Sequence, residues 1–342
     1  MKRFFLYEVM LSILSILVVL VLLELGAHFL NPRFSLRHGY VSKGVGGRDV
    51  LEYPPSYLKD RDLFWKLDPQ QEEYNSLGFR DREFPLLKDR NVFRIICMGD
   101  SVTFGWPADI ELTYPKVLEQ LLKQHFSNVR FEVFNAGVPG YTTYQGLLWF
   151  KRTIIHCNPD LVIAYFGIND ESKAYTSDKD ERPSPEFIIK CANVFRKFQL
   201  YQLMSRIMLY FKYPPSKERL YPLHRVSPKE YRSNIEEMIK IAKGNGIKML
   251  FLVRPAFYDP ETKSIFSNGY LPPENILGFN VYEYFKEREK DATELFIDDN
   301  RPFNFHLTTG GHKALAEAVF AFLVEHNVID KDYTATDASS VK

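Results

Sequence analysis

One serine of the chain stands where its hydroxyl could serve as a nucleophile. The largely apolar run of residues 92–98 is typical of a buried strand, and Gly99-Asp100-Ser101 follows it directly. A serine hydroxyl attacks a carbonyl carbon when an adjacent imidazole removes its proton. Serine is also a common helix cap, so Ser101 has a second, purely structural interpretation. The triplet alone does not separate a nucleophile from a cap.

Three further clusters of small and polar residues occupy comparable places in the chain. They are residues 135–140 after the predicted strand 129–134, residues 167–170 after the predicted strand 161–166, and residues 304–307 before the predicted helix 309–326. Because ligands bind outside the carboxyl ends of parallel strands, these clusters are expected to meet there. Together they offer a hydroxyl, an imidazole and neutral N–H donors, which are the groups that acyl transfer requires.

From residue 91 onward the chain alternates predicted strands with predicted helices. Residues 247–253 and 295–297 are predicted as two further strands. One helix begins after Thr113 and has a 3.6-residue apolar period, and another begins at a capping box with Ser227 and Glu230. Such alternation predicts a parallel sheet with helices on both faces.

In these four blocks the sequence resembles the SGNH (GDSL-type) hydrolases. That family carries a serine in Gly-Asp-Ser, a glycine, an asparagine in Gly-x-Asn-Asp, and a histidine shortly before the last helix. The resemblance extends from about Asn75 to Glu325 and includes a lead-in at residues 75–80. It implies a flavodoxin-like three-layer α/β/α sandwich with a parallel sheet, and hydrolysis or transfer of an ester-linked acyl group.

The resemblance also implies roles for individual residues. Ser101 would be the nucleophile and His306 its base. Gly140 and the side chain of Asn169 would join the backbone N–H of Ser101 as donors to the oxyanion. These types suit the chemistry, because a glycine N–H and an asparagine amide stabilise developing negative charge without adding a charge of their own.

Each of these residues has a plainer interpretation. Gly137 and Gly140 would be turn glycines, Asn169 a turn residue, and the histidine a loop residue without chemistry. Asp170 is expected to be structural rather than catalytic. His312, in the first turn of the last predicted helix, is expected to orient its neighbours.

One position departs from the family pattern. The family usually has an aspartate three residues before its catalytic histidine, and Phe303 stands there. The nearest carboxylates are Asp298 and Asp299, at the end of the last predicted strand. We expect a loop insertion that still lets Asp298 (or Asp299) orient the imidazole. The alternative is a Ser–His dyad whose imidazole is held by Asn304 or by a backbone carbonyl.

The N-terminal segment predicts a membrane anchor. Residues 4–30 are almost wholly apolar, and residues 9–23 carry no charge. About 20 helical residues cross a bilayer core, so a single-pass transmembrane anchor is expected. A cleaved signal sequence and a buried helix are the alternatives. Long downstream domains translocate largely regardless of charge, so the catalytic part is expected outside the cytoplasm, in the periplasm or at the cell surface.

The rest of the chain divides into a lead-in and one domain. Residues 31–90 are expected to be a juxtamembrane segment, residues 91–328 the hydrolase domain, and residues 329–342 a flexible tail. Residues 171–221 are expected to be a helical insertion that the core fold does not require. It would form either a hairpin packed on the edge of the sheet or a lid facing the membrane.

The expected activity is that of a serine ester hydrolase, esterase- or lipase-like or a carbohydrate deacetylase, acting at the cell envelope through an acyl-enzyme. Its partners would be the membrane and an acyl-ester substrate, either a lipid or an acylated glycan. The alternatives are an O-acyltransferase that modifies a surface glycan and a non-catalytic envelope assembly protein. A net charge of +1 argues against a nucleic-acid partner. The sequence predicts neither a cofactor nor a metal.

Overall fold

A computed structural model of the chain describes residues 2–30, 41–42, 50–51, 56–174, 176–212, 223–267, 269–297 and 303–329. The chain forms two compact units. One contains Met1–Trp65 and Arg182–Pro222, and the other contains Lys66–Glu181 and Leu223–Lys342. The predicted tail, apart from Ile329, and the predicted Asp298 and Asp299 lie outside the described residues.

The strands are short outside the central sheet. In chain order they are β1 (Val41–Ser42), β2 (Val50–Leu51), β3 (Tyr57–Asp60), β4 (Phe64–Leu67), β5 (Val92–Gly99), β6 (Arg130–Gly137), β7 (Leu161–Tyr165), β8 (Lys173–Ala174), β9 (Leu223–His224), β10 (Lys248–Val253), β11 (Phe257–Asp259), β12 (Ser264–Phe266) and β13 (Gly278–Asn280). The helices are α1 (Lys2–Leu30), α2 (Ser101–Phe104), α3 (Tyr114–His125), α4 (Thr143–Arg152), α5 (Glu186–Phe195), α6 (Gln199–Lys212), α7 (Pro228–Gly244), α8 (Val281–Lys286), α9 (Ala292–Leu295) and α10 (Thr309–Glu325).

The second unit is built on a five-stranded parallel sheet in the order β13-β10-β7-β5-β6. This is the flavodoxin-like order, with the first strand between the second and the third. β5 and β7 are buried along their whole length, as central parallel strands are. α3 and α10 share one core with inward residues of these strands, and α4 packs beside α7. The predicted fold class is confirmed.

One predicted strand is wrong. Residues 295–297 do not enter the sheet, because α9 ends at Leu295 and Phe296 forms only an isolated antiparallel bridge with Leu307. The edge strand is β13, which pairs with β10. A short apolar run fits a strand and a buried helix end equally well, and β13 offers a single apolar residue between glycine and asparagine. Neither pattern could identify the edge of the sheet.

The four-residue helix α2 is held tightly against the sheet. A Cβ on Gly99 would lie 2.2 Å from Thr103 Oγ1, and a Cβ on Gly137 would lie 2.2 Å from the Phe104 nitrogen. Glycine is therefore required at both strand ends so that α2 can approach. At the other end of α2, the Phe104 carbonyl accepts hydrogen bonds from Arg80 (3.0 Å) and Asn135 (3.2 Å).

A buried ion cluster fastens the segment before β5 to α3. Lys116 Nζ lies 3.0 Å from Asp81 and 2.9 Å from Glu119, and its side chain is only 4% exposed. Arg82 adds a second cation 2.8 Å from Glu119. Burial opposes ionisation of Glu119, but Arg82 and Lys116 lower its pKa to about 2. Lys116 thus lies between two buried carboxylates, and Arg82 is the second cation for Glu119.

The first unit contains α1 and the helices α5 and α6. Within the described residues, one helical stretch, Tyr7–Phe29, is long and apolar enough to cross a membrane, with a mean hydropathy of 2.7. An anchor and a signal sequence both meet that criterion. The hydroxyls of Ser12 and Ser15 donate to backbone carbonyls one turn earlier, so these polar groups are satisfied inside the helix. The predicted insertion contains α5 and α6.

Replacement of the buried lysine tests the ion cluster. We expect Lys116→Met to lower the free energy of unfolding by about 3–5 kcal/mol, because two carboxylates stay buried without their shared cation. Lys123→Met is the matched control, since Lys123 also pairs with Glu119 but is half-exposed, and its loss should cost under about 1 kcal/mol. Denaturant unfolding of the full chain in detergent measures both, and equal losses would contradict the assignment.

Replacement of a strand-end glycine tests the packing of α2. We expect Gly137→Ala to cost about 1–3 kcal/mol, because the new methyl group meets backbone atoms that cannot move aside cheaply. Gly244→Ala is the control, since no atom lies within 4 Å of a Cβ built there and alanine favours a helix. The midpoint of thermal unfolding should fall for Gly137→Ala and hold or rise for Gly244→Ala. An unchanged midpoint for both would show that α2 is not constrained by this contact.

Candidate active site

Ser101 is the first residue of α2 rather than its cap. The N-cap is Asp100, whose carboxylate accepts the backbone N–H of Val102 at 2.9 Å. Interpretation of Ser101 as the helix cap is therefore wrong. Its side chain remains partly exposed at the carboxyl edge of the sheet, and its position at the helix N-terminus favours negative charge nearby.

His306 reaches the serine from the segment before α10. Its Nε2 lies 2.9 Å from Ser101 Oγ, although the two residues are 205 positions apart. The imidazole is 5% exposed, and its ring centroid lies 4.9 Å from that of Trp106 and 4.4 Å from that of Phe305. The structure therefore brings the two predicted residues within hydrogen-bond distance and packs the imidazole between aromatic rings.

Backbone hydrogen bonds on both sides fix the segment that carries His306. Asn304 exchanges backbone hydrogen bonds with Tyr258 of β11, at 2.8 and 2.7 Å. The His306 carbonyl accepts the N–H of Ile297 at 3.0 Å. Thr308 then caps α10 through the N–H of Gly311. His306 thus lies on a short segment whose backbone is hydrogen-bonded on both sides, as that of an inner strand is.

Two expectations about the surroundings of His306 need correction. In the described part of the chain the side-chain amide of Asn304 has no hydrogen-bond partner, so it does not hold the imidazole. His312 is fully buried, and neither of its ring nitrogens is hydrogen-bonded to a described residue. Burial, together with the charges of His306 and Arg80, lowers the pKa of His312 to about 3. His312 is therefore a neutral packing residue that orients none of its described neighbours through a hydrogen bond.

Asn169 and Gly140 lie on the two loops that follow β7 and β6. The side-chain amide of Asn169 donates to the Tyr141 carbonyl at 3.1 Å and to Asp100 Oδ2 at 3.3 Å. Asn169 is therefore hydrogen-bonded directly to the residue that caps the helix carrying Ser101. Gly140 has a φ of 80°, a left-handed conformation that favours glycine. Gly137, in contrast, lies at the end of β6, where the lack of a side chain lets α2 approach the sheet.

An arginine that sequence analysis missed holds the Gly140 loop. Arg225 Nη1 donates to the Gly140 carbonyl at 2.7 Å, and its Nη2 donates to Gln145 at 2.8 Å and to Asp178 at 2.9 Å. Asp178 also accepts the hydroxyl of Thr142 at 2.8 Å. Asp178 lies near the start of the predicted insertion and Arg225 lies just after its end, and no local motif marks them as partners.

Two buried carboxyl groups lie behind the loops. Burial raises the pKa of Asp100 to about 7, and the charge of Asp170 adds to that effect. Burial likewise raises the pKa of Asp170 to about 7, against the hydrogen bonds from the N–H and hydroxyl of Thr143. Asp170 faces the start of α4 rather than Ser101, which fits the structural role expected from the sequence.

The arrangement supplies what acyl transfer needs: a hydroxyl, an imidazole within hydrogen-bond distance of it, and neutral hydrogen-bond donors on adjacent loops. Among the described residues no group of three or more His, Cys, Asp or Glu side chains could hold a metal ion.

Comparisons with known proteins concern the family of the chain. The sequence profile of the GDSL-like lipase/acylhydrolase family matches residues 97–314. An arylesterase of Vibrio mimicus is 30% identical over 82 residues, which cover 24% of this chain and 40% of that protein. An uncharacterized protein of Mycoplasma pneumoniae is 26% identical over 191 residues, covering 43% of this chain and 21% of that protein. The chain thus spans less than half the length of either relative.

Two solved structures are similar at low identity. A lipase/acylhydrolase from Enterococcus faecalis is 15% identical, with a TM-score of 0.43 over 68% of this chain and 96% of that chain. An acetylxylan esterase from Geobacillus stearothermophilus is 18% identical, with a TM-score of 0.41 over 68% of this chain and 94% of that chain.

The profile match covers more than half of the chain and includes all four blocks on which the resemblance rests. The predicted family is therefore confirmed: the chain belongs to the GDSL-like lipase/acylhydrolase family of ester-bond hydrolases.

Proposed function

We propose that the chain hydrolyses an acyl ester through an acyl-enzyme, with Ser101 as the nucleophile and His306 as its general base. The observation that carries this proposal is the 2.9 Å separation of Ser101 Oγ and His306 Nε2. A general base must lie within hydrogen-bond reach of the proton it removes, and this distance meets that requirement.

The reaction follows from this pair. Ser101 Oγ attacks the carbonyl carbon of the ester and passes its proton to His306 Nε2. The tetrahedral intermediate collapses when its bond to the alcohol oxygen breaks, and His306 returns the proton to the leaving alcohol. A water molecule then gives a proton to His306 and attacks the acyl carbon. Release of the carboxylic acid restores the serine hydroxyl.

The oxyanion of the intermediate would be stabilised by three neutral donors. These are the backbone N–H groups of Ser101 and Gly140 and the side-chain amide of Asn169. The Asn169 hydrogen bond to Tyr141 fixes the amide, while its longer one to Asp100 is the weaker of the two and the easier to exchange for a substrate oxygen. Arg225 supports the same site by binding the Gly140 carbonyl, which fixes the peptide that directly follows the donor N–H of Gly140.

We propose that Asp298 (or Asp299) accepts a hydrogen bond from the Nδ1–H of His306, which keeps its proton. Ile297, which directly precedes Asp298, donates its N–H to the His306 carbonyl. The residue before Asp298 therefore lies next to His306. In such triads the carboxylate fixes the tautomer and stabilises the imidazolium.

The proposed setting is the cell envelope. α1 would anchor the chain, with the hydrolase unit outside the cytoplasm, since long domains translocate largely regardless of charge. The substrate class is an acyl ester carried by a lipid or by a glycan.

Labelling with a fluorophosphonate probe tests the nucleophile. Wild type should be labelled and should hydrolyse a small soluble ester, whereas Ser101→Ala should lose both activities with its thermal midpoint nearly unchanged, because Ser101 lies at a partly exposed helix start. Ser127→Ala, at an exposed serine away from the strand ends, is the control and should behave as wild type. A Ser101→Ala enzyme with full esterase activity would contradict the proposal. Labelling of the wild type without hydrolysis of any model ester would favour acyl transfer to another acceptor.

Replacement of the side-chain donor tests the oxyanion site. Asn169→Ala should lower kcat by about 10²- to 10³-fold with little change in KM, because the lost hydrogen bond forms only as charge develops. Asn245→Ala is a control at an exposed asparagine that ends α7. If KM rises while kcat holds, Asn169 contacts the ground-state substrate and is not an oxyanion donor.

A further inference from the structure

The helix α5 has two apolar faces of which only one is covered. On the inner face, Ile189 and Ala192 are buried, and the Asn193 side chain exchanges hydrogen bonds with the Lys59 backbone at 2.7 and 3.0 Å. At 100° per residue, the opposite face carries Phe187, Ile188, Cys191, Val194 and Phe195. Phe187 is 70% exposed and Val194 is 65% exposed. A helix that only packed on its neighbours would carry polar residues there.

The uncovered apolar surface continues beyond α5. Phe198, in the turn to α6, and Met204 and Ile207, on α6, are also exposed, and the rings of Phe195 and Phe198 lie 6.1 Å apart. Charged side chains are confined to one flank of α5, where Lys190 pairs with Glu186. We call α5, the turn 196–198 and α6 together the α5–α6 hairpin, and the exposed apolar residues of 187–207 the hairpin surface.

Hydrogen bonds from the start of α6 to α1 join the segment that carries the hairpin surface to the apolar helix. The carboxylate of Glu24, on α1, accepts the first two backbone N–H groups of α6, from Gln199 at 2.6 Å and Leu200 at 2.8 Å. These N–H groups have no acceptor within their own helix, and the helix dipole favours an anion there. An acidic residue near the end of the apolar stretch Tyr7–Phe29 is thereby compensated by α6.

The position of Glu24 gives the depth of that contact. It lies five residues before Phe29, the end of the apolar stretch, which is about 7.5 Å along a helix with a rise of about 1.5 Å per residue. Amphipathic helices that lie on a membrane bury their apolar faces about 5–10 Å into the boundary between headgroups and acyl chains. With α1 spanning the bilayer as proposed and Phe29 at its boundary, the start of α6 would be fixed to α1 at the depth of an interfacial helix.

We propose that the α5–α6 hairpin is a membrane-surface element, which inserts the hairpin surface into the lipid interface beside α1. The occupant of the surface is the bilayer, because α6 is joined to the one described helix that can span it and because the charged side chains of α5 lie on one flank. The flanking Lys190 and Lys197 would face the headgroups, where basic residues favour anionic lipids. The inference rests on the proposed membrane anchor and not on the proposed hydrolytic activity.

Depth-dependent quenching tests this proposal on the full chain in vesicles of phosphatidylcholine with a fifth of phosphatidylglycerol. Cys191 is first replaced by serine, which leaves two buried cysteines, and an environment-sensitive fluorophore is attached at Phe195→Cys or Val194→Cys. Lys190→Cys on the charged flank of the same helix is the matched control. Lipids spin-labelled in the upper part of the acyl chain should quench the Phe195 and Val194 probes at least severalfold more than the Lys190 probe, which would lie among the headgroups, and more than lipids labelled deep in the acyl chain.

A second variant separates insertion from the general presence of an anchor. Glu24→Ala leaves α1 apolar but removes the acceptor for the start of α6, so quenching of a Met204→Cys probe should fall while the chain stays in the vesicle. Equal quenching of apolar-face and Lys190 probes would overturn the proposal. So would unquenched probes that cross-link efficiently between chains, because the hairpin surface would then be covered by a second copy.

Discussion

The candidate site depends on one constraint, the close approach of α2 to the end of the sheet. A four-residue helix is far too short to be stable alone, since forming the first turn costs more than it returns. It exists because Gly99 and Gly137 admit its backbone and because Asp100 caps its start. Arg80 and Asn135 bind the carbonyl of Phe104 at its end. The position of Ser101 is therefore decided by backbone packing on three sides rather than by the serine itself.

The same constraint explains which parts of the site could be predicted. Strand ends carry a local signal, because a buried apolar run followed by glycine, asparagine or aspartate is visible in the sequence. The clusters that contain Ser101, Gly140 and Asn169 carry this signal, whereas the roles of these residues and of His306 are implied by the family resemblance. The alternation of strands and helices predicts the parallel sheet, and the resemblance implies its flavodoxin-like order. Partners that depend on three-dimensional packing left no such trace: Arg225 acts on Gly140 from 85 positions away, and β13 is too short to show a period.

Electrostatics behind the loops favours neutral groups near the serine. Two carboxyl groups with pKa values near 7, Asp100 and Asp170, lie in a region where a full charge is disfavoured by burial. A negative charge on Asp100 would compete with a substrate oxyanion for the amide of Asn169, which donates to it at 3.3 Å. Burial weakens this competition by favouring the protonated carboxyl. The residue that caps α2 is thereby compatible with a nearby site for a developing anion.

The insertion is closed at its base by the residues that also hold the Gly140 loop. The chain leaves the hydrolase unit after Glu181 and returns at Leu223. Asp178 and Arg225, just inside these two points, form a nearly buried ion pair. β8 and β9 pair beside them, with Lys173 opposite His224. Joining the two ends offsets the entropy that closing a loop of this length costs. Because the base is closed within the hydrolase unit, the Gly140 loop keeps its geometry whatever surface the α5–α6 hairpin occupies.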